Sequence, residues 1–327
     1  MSQLVTIYGG SGFVGRYIAR RMAKAGWRVR VAVRNPNEAM FVRPYGVVGQ
    51  VEPVLCNVRD DASVAAALRG ADAVVYCVGV LDEAGKNTFA AVQAEAPGRV
   101  ARAAAAEGIG RMVLISAIGA DATAPSAYAR TKAAGEAAVL DAMPGAVILR
   151  PSIIFGAEDQ FFNRFASLSR LGPILPVVGA ATRFQPVWVD DVAQAAEKAV
   201  LGQARPGIYE LGGPDVLSFR ELMQVMLKVI HRRRLVMNIP FGLARVMAGC
   251  FGLVKSVTAG LVKPPLTTDQ VRNLARDNVV AADARGLADL GIQPTALGAV
   301  LPEYLWRFRP SGQYDAIKDS AKGLRKA

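Results

Sequence analysis

The stretch YGGSGFVG, residues 8–15, places Gly9, Gly12 and Gly15 three residues apart, between an apolar run and an amphipathic run. Glycines at this spacing let the chain turn tightly, let a pyrophosphate approach the backbone and let a helix pack closely on a strand. The start of the following helix would face that anion. The context predicts a dinucleotide site, and a glycine-rich turn without a ligand is the alternative. The predicted contacts in this turn are Gly9, Ser11, Gly12, Phe13, Val14 and Gly15.

Apolar runs typical of buried strands alternate with alanine-rich runs of helical length over the first 156 residues. The apolar runs are LVTIYGG (4–10), RVRVAVR (28–34), VEPVLCNV (51–58), ADAVVYCVG (71–79), RMVLISAIG (111–119) and GAVILRPSIIFG (145–156). Continuous apolar strands separated by helices are typical of a parallel sheet covered on both faces. We expect a Rossmann-type, doubly wound α/β domain over residues 1–155. A smaller C-terminal α/β lobe, interwoven with the sheet, is expected over 156–310, followed by a basic tail over 311–327.

The end of the second predicted strand carries Arg34 and Asn35, where an acidic residue would bind the ribose 2′-hydroxyl of NAD(H). An acid there would repel a 2′-phosphate, whereas a guanidinium binds one through paired, charge-assisted hydrogen bonds. The sequence therefore favours NADP(H) over NAD(H), and an ordinary surface role for Arg34 is the alternative. Two further groups of contacts are expected, Asn57 and Val58 beside the adenine, and Cys77, Val78 and Gly79 beneath the nucleotide.

The stretch YARTK, residues 128–132, places a phenol and an ammonium four residues apart. On a helix the side chains of Tyr128 and Lys132 would share one face. Lys132 would then lower the pKa of the phenol and make Tyr128 a proton donor near neutral pH. The spacing also arises by chance in many helices, so the pair alone does not separate a catalytic role from a structural one.

The glycine turn, YARTK and RPSIIFG (150–156) resemble, in that order, an atypical extended short-chain dehydrogenase/reductase over roughly residues 3–230. Within that superfamily the chain is most similar to the nucleotide-binding accessory subunits of respiratory complex I, the NADH:ubiquinone oxidoreductase. This similarity implies other complex I subunits as partners. It is carried by YGGSGFVGRYI (8–18), YARTKAAGE (128–136), RPSIIFGAEDQFFNRF (150–165) and PPLTTDQVRNLARDN (264–278).

The resemblance also implies a catalytic tetrad of Asn, Ser, Tyr and Lys, of which Tyr128 and Lys132 are retained. Aligning LISAIGA (114–120) puts Ser116 on the first serine of the family and Ala117 on the serine that polarises a substrate carbonyl. Ser116 is also an expected nucleotide contact. Gln93 stands where the Asn is expected, and Ser126 is a displaced substitute for the missing hydroxyl. A donor displaced by about 1 Å costs on the order of a hundredfold in rate.

The same resemblance implies that Lys132 holds the nicotinamide ribose, with Tyr128 beside it and Pro151 and Ile153 as the wall beside the nicotinamide. Nucleotide binding without turnover is therefore the favoured interpretation. A working NADPH-dependent reductase of a hydrophobic carbonyl, enone or quinone is the alternative.

The net charge of +12 is concentrated in the C-terminal third, where the chain from Lys228 onward has 16 Lys and Arg against 7 Asp and Glu. No acidic residue stands between Glu221 and Asp269. Helical spacing within the segment 228–263 gives one face with basic and small residues and one apolar face. The first face holds Arg245, Gly249, Gly252, Lys255, Ser256, Gly260 and Lys263, and the second holds Val246, Met247, Cys250, Phe251, Val254, Val257 and Leu261.

This pattern predicts a basic amphipathic helix that lies on an anionic membrane surface. Docking in the groove of a partner and packing on its own domain are the alternatives. The apolar run is too interrupted for a transmembrane helix. Nucleic acid is not expected, because aromatic residues do not alternate with the basic ones.

Cys56, Cys77 and Cys250 show no CxxC spacing, and the single histidine, His231, lies among arginines, so we expect no metal site. The chain enters an apolar strand within its first residues, from which we expect no signal or transit peptide. The expected location is peripheral, on the cytoplasmic side of the inner (plasma) membrane of a bacterium, or on the matrix side if the protein is mitochondrial.

Overall fold

The computed structural model describes residues 2–257 and 266–314, without the side chains of residues 253–257 and 313. The strands are β1 (Leu4–Tyr8), β2 (Arg28–Val33), β3 (Val51–Leu55), β4 (Ala73–Tyr76), β5 (Met112–Ile115), β6 (Val147–Pro151), β7 (Ile154–Phe155), β8 (Ile174–Val178), β9 (Arg183–Phe184), β10 (Val187–Trp188), β11 (Gly207–Leu211), β12 (Leu217–Ser218) and β13 (Leu235–Ile239). The α-helices are α1 (Phe13–Lys24), α2 (Asp61–Leu68), α3 (Ala96–Ala106), α4 (Ala127–Ala142), α5 (Phe162–Leu168), α6 (Val189–Val200), α7 (Phe219–Val229), α8 (Phe241–Val257), α9 (Thr268–Asn273) and α10 (Leu297–Leu305). A π-helix covers Ala90–Glu95, and 3₁₀ turns cover Pro36–Tyr45, Ala288–Leu290, Trp306–Phe308 and Gly312–Tyr314.

Seven strands form a parallel sheet in the order β11-β6-β5-β4-β1-β2-β3. Every residue of β1, β4 and β5 is buried, because helices cover both faces of the sheet. Helices α1 and α6 pack on one face, and α2, α3 and α4 pack on the other. This arrangement confirms the predicted doubly wound α/β fold.

The winding of the chain reverses between β1 and β4, which are neighbours in the sheet. From β1 the chain proceeds outward to β2 and β3, and from β4 it proceeds in the other direction to β5 and β6. A crevice opens outside the carboxyl ends of the strands at such a reversal, and ligands of this architecture bind there. The glycine turn follows β1 directly and therefore lies at this crevice.

Residues beyond 156 contribute both to the main sheet and to a smaller lobe. Strand β11 pairs with β6, and α6 packs against α1. The smaller lobe has its own core, in which the rings of Phe155, Phe162, Phe184 and Phe219 are buried. Beside this core β8 pairs in parallel with β13.

The basic segment 228–263 is not one helix. It contains the end of α7, a turn with three arginines, strand β13 and helix α8, and residues 258–263 lie outside the described part of the chain. Helix α8 packs on its own lobe through Ala244 and Ala248, which belong to neither predicted face and are buried against Val178 and Val271. Alanine lets helix α8 approach its neighbour closely, and this packing leaves Val246 and Cys250 exposed. Of the helices in the described ranges, none combines the length and the apolar character required to cross a bilayer.

Candidate nucleotide site

The glycine turn has the geometry that a pyrophosphate requires. Gly9 has a φ of +76°, in the left-handed region that glycine adopts without strain. A Cβ atom on Gly15 would lie 2.3 Å from the carbonyl oxygen of Gly9, so α1 approaches the turn this closely only with glycine at that position. Gly12 is the N-cap of α1, and no side chain caps the helix. The first N–H groups of α1 therefore have no side-chain acceptor at the cap, and the turn fits a nucleotide pyrophosphate.

The sheet brings the predicted nucleotide contacts to one edge, because the carboxyl ends of parallel strands lie on the same side. Each group of contacts follows a different strand. The glycine turn follows β1, and its Ser11, Phe13 and Val14 are half-buried. Arg34 follows β2, and Asn57 and Val58 follow β3. The remaining contacts lie after β4 (Cys77, Val78 and Gly79), after β5 (Ser116) and at or just beyond the end of β6 (Pro151 and Ile153).

The residues after β2 present a cation at this edge. Arg34 is exposed, and Asn35 next to it is exposed as well. The nearest following acidic residue, Glu38, accepts a hydrogen bond from the side-chain amide of Asn35 over 2.7 Å. This bond ties the carboxylate of Glu38 to a neutral amide and leaves the guanidinium of Arg34 as the charged group that directly ends the strand.

A second arginine, Arg16, is absent from the contacts predicted from the sequence. Its guanidinium donates to the carbonyl oxygen of Ser11 over 3.1 Å and lies 4.7 Å from the centroid of the Phe41 ring. Arg16 thus joins the glycine turn to the segment that follows β2. Arg16 directly follows Gly15, so the sequence alone could have placed it beside the glycine turn.

Helix α4 places Tyr128 and Lys132 on one face. The ammonium of Lys132 lies 5.8 Å from the centroid of the Tyr128 ring and donates to the carbonyl oxygen of Ile115 over 3.2 Å. A Cβ atom on Gly79 would lie 3.7 Å from the same ammonium. Lys132 therefore lies between the ends of β4 and β5, at the edge where the other predicted contacts meet.

The predicted effect of Lys132 on the phenol is wrong. Burial raises the pKa of Tyr128 to about 12, and the ammonium 5.8 Å from the ring does not offset this cost of desolvation. Burial also lowers the pKa of Lys132 to about 8, although the negative charge of Glu136 opposes the change. Tyr128 is therefore a weaker acid than an exposed tyrosine.

Ser116 is buried, and its hydroxyl donates to the carboxylate of Glu136. The same carboxylate accepts two hydrogen bonds from Arg150, from Nε over 2.9 Å and from Nη2 over 2.6 Å. The Ser116 hydroxyl proton is therefore committed to a buried ion pair. Glu136 is absent from the predicted site, although its place one helical turn after Lys132 was a usable signal.

The hydroxyl of Ser126 is also bound to a carboxylate. Its hydroxyl donates to the carboxylate of Asp269, in α9, over 2.8 Å. Asp269 also accepts hydrogen bonds from the backbone N–H groups of Ala127, over 2.7 Å, and Tyr128, over 3.2 Å. Asp269 lies 141 residues beyond Tyr128, so no local pattern predicts this contact.

Gln93 lies buried in the π-helix, where the resemblance leads one to expect an asparagine. Its side-chain NH₂ donates to the carbonyl oxygen of Val80 over 2.6 Å. Its Oε1 has no hydrogen-bond partner within residues 2–257 and 266–314. Because the reverse orientation of the amide would bring two oxygens together, the observed orientation is the favourable one. Gln93 thus holds the loop that follows β4.

Comparison with known proteins agrees with this geometry. A family model described as NAD(P)H-binding matches residues 9–152, which include the glycine turn, Tyr128 and Lys132. These residues form an NAD(P)H-binding domain. The chain is 33% identical over 316 residues to NADH dehydrogenase (ubiquinone) 1 alpha subcomplex subunit 9, mitochondrial, of Arabidopsis thaliana, which covers 94% of this chain and 79% of that protein.

Two other comparisons bear on the site. The chain is 31% identical over 241 residues to the ceramide reductase of Caulobacter vibrioides, covering 72% of this chain and 74% of that protein. The crystal structure of DesIV, a dTDP-glucose 4,6-dehydratase from Streptomyces venezuelae with NAD bound, has a TM-score of 0.70 at 19% identity, over 96% of this chain and 99% of that chain. The latter likeness is one of fold alone. Since the alignment with the Arabidopsis relative spans 94% of this chain and 79% of that protein, the chain belongs to the NAD(P)H-binding family that includes NADH dehydrogenase (ubiquinone) 1 alpha subcomplex subunit 9.

Proposed function

We propose that this chain is an NADP(H)-binding accessory subunit of respiratory complex I that performs little or no hydride transfer. The observation that carries the proposal is that Ser116 and Ser126 both donate their hydroxyl protons to carboxylates, those of Glu136 and Asp269. A carbonyl reductase needs a hydroxyl beside its tyrosine to polarise the substrate. A nucleotide that is bound but not consumed still stabilises the native state by mass action.

Two further features support binding without turnover. Ala117 occupies the position of the second serine, and its methyl group has no proton to donate. The raised pKa of Tyr128, about 12, makes proton transfer from the phenol less favourable at neutral pH. Both features weaken the groups that would act on a substrate and leave the groups that would hold a nucleotide.

The nucleotide would be held by residues along the carboxyl edge of the sheet. The glycine turn would receive the pyrophosphate, and Arg34 would bind the 2′-phosphate that distinguishes NADP(H) from NAD(H). Lys132 would bind the nicotinamide ribose, with Tyr128 beside it and Pro151 and Ile153 as a wall. Bound NADPH is a hydride donor, and this chain would mainly orient and shield it.

The proposed partners are other subunits of complex I. The Arabidopsis relative is named as a subunit of NADH dehydrogenase (ubiquinone), and the alignment covers 94% of this chain. We infer a peripheral position on the cytoplasmic side of the inner membrane in a bacterium, or on the matrix side in a mitochondrion. The segment 228–263 would contact an anionic membrane surface there.

An active reductase is the second candidate. The ceramide reductase relative favours it, because that protein aligns with 72% of this chain and is named for reduction of a lipid. Tyr128 and Lys132 would then supply the proton and hold the cofactor, and a hydrophobic ketone, enone or quinone would be the substrate.

The test compares the full-length chain with Tyr128→Phe, and uses Tyr314→Phe, at an exposed tyrosine, as the matched control. NADPH consumption is followed with a quinone, an enone and a long-chain ketone, and complex I is purified from cells that carry each variant. We expect all three proteins to bind NADPH, to co-purify with complex I and to consume no NADPH above the protein-free rate. Turnover at about 1 s⁻¹ or faster that only Tyr128→Phe abolishes would establish the reductase instead.

A further inference from the structure

The segment that follows the basic region returns to the nucleotide edge. Asp269, in the first turn of α9, accepts hydrogen bonds from three donors at the start of α4: the Ser126 hydroxyl, the Ala127 N–H and the Tyr128 N–H. Their distances are 2.8, 2.7 and 3.2 Å. The first N–H groups of a helix have no partner within the helix, so a carboxylate there both satisfies them and interacts favourably with the helix dipole.

The position of Asp269 is fixed by the C-terminal lobe. Helix α9 begins with a capping box between Thr267 and Gln270, and Val271 is buried against Ala244 and Ala248 of α8. The carboxylate is thus carried by an element that packs against the basic segment, while the groups it binds belong to the nucleotide-binding domain.

The segment 266–278 makes further contacts with the same side of the nucleotide-binding domain. Arg272 donates to the carbonyl oxygen of Pro125 over 3.4 Å, and Ser152 donates to the side-chain oxygen of Asn278 over 2.6 Å. These bonds attach the segment at several points. Only those of Asp269 reach the backbone of the helix that carries Tyr128 and Lys132.

We propose that Asp269 is a positioning residue of the nucleotide site, which fixes α4 so that Tyr128 and Lys132 meet the nicotinamide ribose. The inference rests on the proposed nucleotide-binding function and extends it to a residue of the C-terminal lobe. The Asp269 carboxylate binds three donors at the start of α4, so we do not expect it to touch the nucleotide. Its effect is therefore confined to the half of the ligand that α4 holds, and the adenosine half, held by the glycine turn and Arg34, is independent of it.

Because the two halves of the ligand are held separately, a loss of affinity for NADPH alone separates the proposed role of Asp269 from a general loss of stability, which would weaken binding of both ligands. The affinities of full-length Asp269→Ala and Asp269→Asn are measured by calorimetry for NADPH and for adenosine 2′,5′-bisphosphate, which lacks the nicotinamide ribose. The matched control is Asp277→Ala, which removes another carboxylate of the same segment, one that binds the N–H and the guanidinium of Arg183.

Asp269→Ala leaves the N–H groups of Ala127 and Tyr128 without their acceptor, so the first turn of α4 has to be ordered when the nucleotide binds. Ordering one residue costs about 1 kcal/mol, and we therefore expect this variant to bind NADPH about fivefold more weakly than the unaltered protein. Asp269→Asn keeps one acceptor oxygen, so its affinity for NADPH should lie between those of Asp269→Ala and the unaltered protein. Affinity for adenosine 2′,5′-bisphosphate should not change in any variant, and Asp277→Ala should bind both ligands as the unaltered protein does.

Equal NADPH affinity in the Asp269 variants and the unaltered protein would overturn the proposal, as would a parallel loss of affinity for both ligands. If Asp269→Ala does not fold, Asp269→Asn decides between these results. Failure of the unaltered protein to bind NADPH would instead contradict the proposed function, so the two ideas fail in different ways.

Discussion

Arg150 binds the carboxylate of Glu136 through two nitrogens, and Glu136 lies one helical turn beyond Lys132 on α4. Glu136 is buried, and the guanidinium of Arg150 is also close to Glu210, at 3.6 Å. A buried carboxylate needs such a partner, because the cost of removing it from water is several kcal/mol. Arg150 therefore keeps Glu136 ionised, and the negative charge of Glu136 acts on Lys132, one turn earlier in the same helix.

Replacing Arg150 with Ala should destabilise the protein by about 3 kcal/mol, because it leaves the buried Glu136 carboxylate without its cation. The exposed pair of Arg183 with Asp277, 2.8 Å apart, is the matched control. Arg183→Ala should cost at most about 1 kcal/mol, as exposed pairs do. Urea unfolding of both variants measures the difference. Equal costs would mean that the Arg150–Glu136 pair is not effectively buried in solution.

The stability of the protein should depend on pH through Lys132. Its pKa is about 8 in the folded protein, below its ordinary value of 10.5. Between these two pH values the unfolded chain binds more protons than the folded chain, so the contribution of Lys132 to stability rises with pH over this window. The rise approaches about 1.4 kcal/mol per pH unit at its steepest.

The measurement is the free energy of unfolding of the unaltered protein minus that of Lys132→Met, determined at intervals from pH 7 to pH 10.5 without nucleotide. Subtraction removes the titration of other groups. A difference that stays constant or falls with pH would show that the ammonium of Lys132 is more hydrated than its burial implies.

Arg34 should determine the choice of nucleotide. Arg34→Gln removes the guanidinium proposed to bind the 2′-phosphate. Hydrogen bonds to charged groups contribute about 1.5–3 kcal/mol, so NADPH affinity should fall about tenfold or more. NADH affinity should change little. Arg28→Gln, at the opposite end of β2, is the control for the loss of one positive charge. Calorimetry with both nucleotides checks the preference, and equal affinity of the unaltered protein for NADPH and NADH contradicts it.

The parts of the fold that the sequence predicted are those specified by local patterns. The six apolar runs up to residue 156 became β1 to β6 in order, and the last run also contains β7. The most continuous apolar runs mark strands buried on both faces, as in β1, β4 and β5. The glycine turn was equally local, since Gly9 and Gly15 must approach each other within one turn.

The contacts that the sequence did not predict join distant residues. Asp269 meets α4 across 141 residues, and Arg150, in β6, meets Glu136, in α4, across 14 residues. The contact that α8 makes with its own lobe was not predicted, for a related reason. A hydrophobic face predicts what a helix could bury, and the neighbouring helix made Ala244 and Ala248 the buried residues instead of Val246.

The four arginines of the basic segment divide into two that bind the lobe and two that are exposed. Arg232 donates to the carbonyl oxygen of Phe308, and Arg234 donates to that of Ser169. Changing these two would disturb the lobe itself. Arg233 and Arg245 are exposed, which makes them the residues with which to test a membrane contact.

An apolar face lies beside these charges. In the pairing of β8 with β13, Leu235 is opposite Ile174 and Met237 is opposite Pro176, and all four residues are exposed. Side chains two residues apart on a strand point to the same face. The lobe thus presents an apolar strip next to basic residues, the combination by which peripheral proteins bind anionic bilayers.

We expect Arg233→Glu with Arg245→Glu to weaken binding to phosphatidylglycerol vesicles by roughly thirtyfold or more, because each basic residue contributes about 1 kcal/mol at an anionic surface. The loss should be largest at low salt, since counterions screen exposed charges. Leu235→Ser with Met237→Ser should also weaken binding, but equally at all salt concentrations, because burial of apolar area is not screened.

Lys24→Glu with Arg28→Glu, at the amino edge of the sheet, is the charge-matched control and should bind as the unaltered protein does. Vesicle flotation measures all four proteins, and NADPH content reports their folding. If the Arg233 and Arg245 double variant floats with vesicles as well as the control does at every salt concentration, the basic segment does not bind the membrane.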